Sequence, residues 1–127
     1  MSQEVFEALT QALTRGEDAA LVTIVAAQGS TPQRVGAKML VFPDGRTVGT
    51  IGGGCYENDA FWKAKDAIQS RKPQLVKYDL NDDFAQENGL VCGDTFADVR
   101  VHHKGNVIDQ VIEGAYEVLH GFEQVQD

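Results

Sequence analysis

Apolar residues recur along the N-terminal segment as Val5, Phe6, Leu9, Ala12 and Leu13, a spacing that puts them on one face of a helix. Ser2 suits the cap at its start, and Arg15 followed by Gly16 suits its end. From Ala20 to Ala27 the chain is almost continuously apolar, which predicts a strand buried on both faces. That run breaks at Gln28-Gly29-Ser30-Thr31-Pro32, a cluster of turn formers. Two short strand-like runs follow, Lys38 to Phe42 and Arg46 to Ile51, joined by Pro43-Asp44-Gly45. Pro presets its own φ and Gly accepts φ > 0, so the pair predicts a β-hairpin.

Gly52-Gly53-Gly54 then opens a second helix, from about Cys55 to about Ser70, with Ala60, Phe61, Ala64, Ala67 and Ile68 on its inner side. Pro73 forbids its continuation. Val76, Tyr78 and Leu80 alternate with Lys77 and Asp79, as in a half-exposed strand. The polar, irregular stretch from Asn81 to Gly93 reads as a functional loop. Alternation returns from Phe96 to His102, with Ala97, Val99 and Val101 on one face and Asp98, Arg100 and His102 on the other. A last helix is predicted from about Val107 to about His120, carrying Ile108, Val111, Ile112, Ala115, Val118 and Leu119 inward, with Gly121 at its C-cap. The order α-β-β-β-α-β-β-α predicts a single α/β or α+β domain over residues 1–127, one mixed β-sheet flanked by about three helices.

A chain of 127 residues has room for one core. Its formal net charge of −8 argues against sequence-independent nucleic-acid binding and against adhesion to an anionic membrane, both of which need clustered cations. No run approaches the roughly 20 apolar residues of a membrane span. The N-terminus is amphipathic and acidic, unlike a secretory signal. The expectation is a cytoplasmic protein, in which Cys55 and Cys92 are free thiols rather than a disulfide.

The chemistry concentrates where a strand runs through Gly49-Thr50-Ile51-Gly52-Gly53-Gly54 into Cys55-Tyr56-Glu57. Three consecutive glycines cost conformational entropy on folding. One use for them is to let amides approach an anion at a helix N-terminus; the other is a tight strand-to-helix turn. The spacing is neither a phosphate loop ending in Gly-Lys-Ser/Thr nor the dinucleotide Gly-x-Gly-x-x-Gly, so no nucleotide is predicted. A thiolate at Cys55 would be favoured by the helix dipole, and can ligate a soft metal, carry a persulfide or attack an electrophile. Cys92 sits in a glycine-flanked turn, and neither cysteine belongs to a CxxC pair, which argues against structural zinc. Upstream, Ser30 and Thr31 supply hydroxyls, and Arg34 and Lys38 supply cations able to hold a phosphate. His102 and His103 point to opposite faces of a strand and are expected to be surface histidines.

Taken in order, Gly29-Ser30-Thr31-Pro32, Gly36 to Val41, Asp44-Gly45, and Gly49 to Cys55 with Glu57 resemble the N-terminal domain of the XdhC/CoxI family. Gly89-Leu90-Val91-Cys92-Gly93 resembles that family's second signature, although Asp94 stands where the pattern continues with glycine. The resemblance runs from about residue 20 to about residue 103. It implies a maturation factor that binds molybdenum cofactor transiently, protects it, and helps deliver it in sulfurated form to a molybdenum hydroxylase such as xanthine dehydrogenase. On that reading Ser30, Thr31, Arg34, Lys38, Gly52, Gly53, Gly54, Cys55, Glu57 and Gly93 would hold the cofactor. Cys55 and Cys92 would handle its sulfur or ligate its molybdenum. The implied partners are the client hydroxylase and a cysteine desulfurase; a homodimer is a further option for so small a domain. The Rossmann-like second domain of the family has no counterpart in these residues. A cofactor chaperone is favoured over a turnover enzyme. The alternatives are a cysteine-based sulfurtransferase or redox protein, and an interaction module that has lost the ligand.

Overall fold

The computed structural model describes residues 2–27, 35–52, 55–78, 95–104 and 106–108. The first helix, α1 (Ser2–Arg15), is followed by three strands, β1 (Ala19–Ala27), β2 (Lys38–Val41) and β3 (Thr47–Thr50). The second helix, α2 (Cys55–Ser70), leads to β4 (Gln74–Tyr78), β5 (Thr95–His103) and β6 (Asn106–Ile108).

Both helices stop where local chemistry says they should. Gly16 takes φ 67° after α1, with Glu17 N–H donating to Ala12 O at 2.8 Å and Gly16 N–H to Leu13 O at 3.2 Å. That is a Schellman closure, which satisfies carbonyls left over by the last turn. At the end of α2, Arg71 takes the left-handed conformation (φ 58°) and Lys72 N–H reaches Ala67 O at 3.2 Å, just before Pro73.

The strands form one sheet in the order β3-β2-β1-β5-β4, with β6 also pairing β5. Every pairing among the described strands is antiparallel. The expected single sheet with flanking helices is present, and its strand directions have a topological cause. α2 carries the chain from β3 at one edge to β4 at the other, so two strands running in the same direction never become neighbours. The hairpin expected at Pro43-Asp44-Gly45 joins β2 to β3, with Gly45 at φ 95° and the Asp44 carboxylate accepting Arg46 N–H at 3.0 Å.

α2 covers one face of the sheet. Tyr56, Ala60, Ala64, Ala67 and Ile68 pack there against Val22, Ile24, Val41, Val99 and Val101. Alanines at three inner helix positions let backbone and sheet approach closely, and each fully buried Val or Ile contributes about 1.5–3 kcal/mol. α1 covers part of the opposite face, with Val5, Leu9 and Ala12 against Ala19, Leu40 and Phe42.

The second face is unevenly sheltered, which corrects the expectations for β1, Phe6 and the two histidines. β1 is not buried on both sides: Ala20, Val22 and Ile24 are enclosed under α2, but Leu21 and Thr23 on the other face are only half-buried, and Val25, at the irregularity between Ile24 and Ala26, is exposed. Phe6 lies at the rim of the α1 face, 48% exposed, with the Lys38 ammonium 5.8 Å from its ring centre. His102, expected at the surface, is buried at 5% exposure, because its face of β5 is covered where its neighbour across β1 is Ala19. His103 is half-buried against Asp18, its Nδ1 2.9 Å from the carboxylate.

The predicted last helix also changes. Residues 106–108 form β6, which folds back on β5 with His103 opposite Asn106. Lys104, in the left-handed region at φ 52°, turns the chain there, and the apolar pair Val107-Ile108 serves a strand as well as a helix start. Residues 109–121 of that predicted helix lie outside the described residues.

Candidate functional site

The register fixes which chain ends come together. Thr50 of β3 stands opposite Lys38 of β2, and Lys38 opposite Thr23 of β1. Beyond that pair, Ile24 N–H donates to Ala37 O at 3.0 Å and Gly36 N–H to Ile24 O at 2.8 Å. On the other side, Ala27 stands opposite Thr95, and Thr95 opposite Tyr78. The ends of β1, β3 and β4, the starts of β2 and β5, and the first turn of α2 therefore share one end of the sheet.

Three connections leave from that end. Residues 28–34 carry Ser30, Thr31 and Arg34; residues 53–54 are Gly53 and Gly54; residues 79–94 carry Cys92 and Gly93. These candidate residues lie outside the described ones. Cys55 opens α2 at the same end. Lys38, Gly52 and Glu57 are described, and each has a defined setting.

Lys38 does not extend freely from the sheet. Its ammonium donates to Gly36 O at 3.0 Å and lies over the Phe6 ring, which leaves further N–H donors on the same nitrogen. Gly52 is exposed, and its φ of 120° is a conformation that side-chain-bearing residues rarely adopt. Its amide donates to Thr50 Oγ1 at 3.1 Å. The Thr50 hydroxyl in turn hydrogen-bonds Glu57 Oε1, and the same oxygen accepts Ile51 N–H at 2.8 Å. An anion cradle from Gly52 to Cys55 therefore loses its first amide to an internal bond. Gly53 and Gly54 lie outside the described residues.

Beneath this turn lies a set of groups the sequence reading did not single out. Tyr56 is wholly buried and its hydroxyl donates to Ile51 O at 2.9 Å. Its ring meets that of Tyr78 with centroids 5.6 Å apart. The Tyr78 hydroxyl donates to Asp59 Oδ2 at 2.6 Å, and burial together with the Asp59 carboxylate holds it protonated well above the usual tyrosine range. The first turns of α2 are thereby fastened to the ends of both β3 and β4. The available signal was that buried tyrosines need a partner for their hydroxyl.

Among the described residues no group of three or more His, Cys, Asp or Glu is arranged to hold a metal ion. No described helix is long and apolar enough to cross a membrane.

A small helix-and-sheet module with its motif-bearing connections at one sheet end is the class defined so far. Residues 12–79, more than half of the chain, match the XdhC and CoxI family, and the chain belongs to that family. The chain is 37% identical over 68 residues to the molybdenum cofactor insertion chaperone PaoD of Escherichia coli, a stretch covering 54% of this chain and 21% of PaoD. Its fold is similar to a crystal structure of a xanthine dehydrogenase from Bacillus halodurans, with TM-score 0.59 and 27% identity over 94% of this chain and 34% of that one.

Residues 85–127 match a different family, a domain of unknown function (DUF932). The chain is also 66% identical over 41 residues to the UPF0380 protein YfjQ of Escherichia coli, covering 32% of this chain and 15% of YfjQ. The chain thus spans about a third or less of the length of each of these proteins. The XdhC and CoxI match ends at residue 79, before Gly89-Leu90-Val91-Cys92-Gly93, and that segment falls within the second match.

Proposed function

We propose that this chain serves the maturation of a molybdenum hydroxylase, holding molybdenum cofactor at the glycine-bearing end of the sheet and releasing it to the client enzyme. The observation that carries the reading is the XdhC and CoxI match over residues 12–79, which takes in Ser30, Thr31, Arg34, Lys38, Gly52 to Cys55 and Glu57. The described strand ends from which these residues depart, or on which they lie, share one end of the sheet. PaoD, whose name describes a molybdenum cofactor insertion chaperone, is a relative over 68 residues of this chain.

The residues present suit such a ligand in part. The cofactor is an anionic pterin with a phosphate, a dithiolene and molybdenum. Lys38 offers a cation at the site's margin, and Cys55 places sulfur chemistry at the first turn of α2. The committed Gly52 amide and the Glu57 carboxylate contribute no donor to an anion. Anion binding on this reading falls to Lys38 with Ser30, Thr31, Arg34 and the remaining glycine amides. The bound group would bring a molybdenum centre whose terminal ligands complete the client's active site.

Two observations favour a second reading. Ile51 and Gly52 already have internal partners, as a turn kept for its shape requires, and residues 85–127 match another family. Both would suit an interaction module that no longer holds the cofactor. Anaerobic titration of the purified chain with molybdenum cofactor, read by absorbance and by co-elution on gel filtration, separates the two. Stoichiometric binding that weakens in Cys55→Ala is the expected result. Absence of binding by the folded wild-type chain would leave the interaction module standing.

A further inference from the structure

The strand-to-helix turn is held by a short relay of hydrogen bonds. Gly52 N–H donates to Thr50 Oγ1 at 3.1 Å, the Thr50 hydroxyl bonds Glu57 Oε1, and Ile51 N–H donates to that same oxygen at 2.8 Å. Ile51 is fixed from its other side as well, because its carbonyl accepts the buried Tyr56 hydroxyl at 2.9 Å. Its side chain is wholly buried in the core under α2. Glu57 lies in the first turn of α2, where the helix dipole favours a carboxylate.

We propose that Glu57 is a positioning residue for the ligand site and not one of its ligands. Its carboxylate sets the path of residues 50–52, and with it the approach to α2, which opens at Cys55. The proposal rests on the cofactor-binding reading for what the site holds, and on the hydrogen bonds alone for what Glu57 does. Three features of the turn and its ligand favour it over direct contact. Glu57 Oε1 already receives two donors from the turn. A carboxylate facing the cofactor's phosphate would be repelled rather than bound. The relay also explains Thr50, whose hydroxyl is needed as acceptor for one amide and as donor to the carboxylate.

The roles separate by mutation. A positioning Glu57 acts through an acceptor oxygen, so Glu57→Gln keeps cofactor affinity within about threefold of wild type, while Glu57→Ala weakens it roughly tenfold or more, as loss of a charge-assisted bond implies. Thr50→Val interrupts the same relay and lowers affinity comparably. The double variant Thr50→Val/Glu57→Ala loses less than the sum of the two single losses, because the bond between Thr50 and Glu57 is counted in both. Amide exchange followed by NMR reads the relay without any ligand. Ile51 exchanges faster in Glu57→Ala, Gly52 in Thr50→Val, and Ile51 is restored in Glu57→Gln.

Two outcomes overturn the proposal. One is an Ile51 exchange rate unchanged in Glu57→Ala. The other is a Thr50→Val protein that binds as wild type while Glu57→Ala and Glu57→Gln both fail, the signature of a carboxylate touching the ligand. Should the folded wild-type chain bind no cofactor, the maturation reading fails, and the exchange rates alone then judge Glu57. Faster Ile51 exchange in Glu57→Ala keeps it as the holder of the turn, and unchanged exchange removes it.

Discussion

His102 sits at 5% exposure, and among the described residues neither of its ring nitrogens has a hydrogen-bond partner, an arrangement that costs stability at neutral pH and more in acid. Burial, helped by the nearby Arg100 cation, pulls its pKa below the ordinary histidine value. The folded state therefore resists protonation that the unfolded chain accepts. Stability is complete above the unfolded value of about 6.5 and declines as the pH falls from there toward the depressed folded value. His102→Leu removes both the unpaired nitrogens and the proton site. In urea unfolding it should be more stable than wild type at pH 7.5, by about 1 kcal/mol. Its advantage should widen at pH 5.5. An advantage that stays constant between the two pH values would mean that His102 is protonated as readily when folded. The sequence placed His102 correctly on the outer face of its strand but assigned it to solvent. Alternation along a strand tells which face a residue occupies, and only the rest of the fold tells what covers that face.

At the scale of elements, the packing of α1 on the β2–β3 hairpin hangs on one position without a side chain. Gly49 lies in β3 at φ 85°, and a Cβ there would stand 2.5 Å from Val5 Cγ2 and 2.6 Å from Lys38 O. Gly49→Ala therefore meets both a backbone penalty and a steric one, together about 2–4 kcal/mol of lost stability. Adding Val5→Ala should not rescue it, because the Lys38 carbonyl belongs to the ladder that pairs β2 with β3 and cannot withdraw. Recovery of the wild-type melting temperature in that double variant would contradict the account. Periodicity and stop signals made most of these elements legible: α1 up to Gly16, the hairpin about Gly45, and α2 from Cys55 to Ser70. It could not reveal that Thr50, Tyr56, Asp59 and Tyr78 form the frame of the candidate site. Their bonds join residues of three elements, and no spacing within one element encodes such contacts. At the other end of the sheet, Val107 and Ile108 fit two periodicities at once, and the tight turn at Lys104 decided in favour of a strand.

At the scale of the whole molecule, β5 joins the two halves of the sequence. It pairs along its length with β1, and on its other side with β4 and β6. The strands flanking it on either side of the sheet order, β1 and β4, fall within the XdhC and CoxI match, whereas β5 falls within residues 85–127, which match a different family. Ala97, Val99 and Val101 bring its apolar face under α2 and are all but fully buried there. Residues 1–84 alone would leave β1 and β4 without their shared neighbour and expose the core beneath α2. An exposed pair of strand edges flanking an apolar gap favours aggregation over a folded monomer. We therefore expect residues 1–127 to unfold in one cooperative transition, and residues 1–84 to show none in urea followed by near-ultraviolet circular dichroism. Supplying residues 85–127 as a separate peptide should restore the native signal at close to equimolar ratio, since the missing strand carries its own apolar face and ladder. If residues 1–84 instead unfold cooperatively by themselves, then β5 is dispensable to the segment that carries Cys55 and Glu57. The candidate site would then have to be sought within residues 12–79 alone, without Cys92.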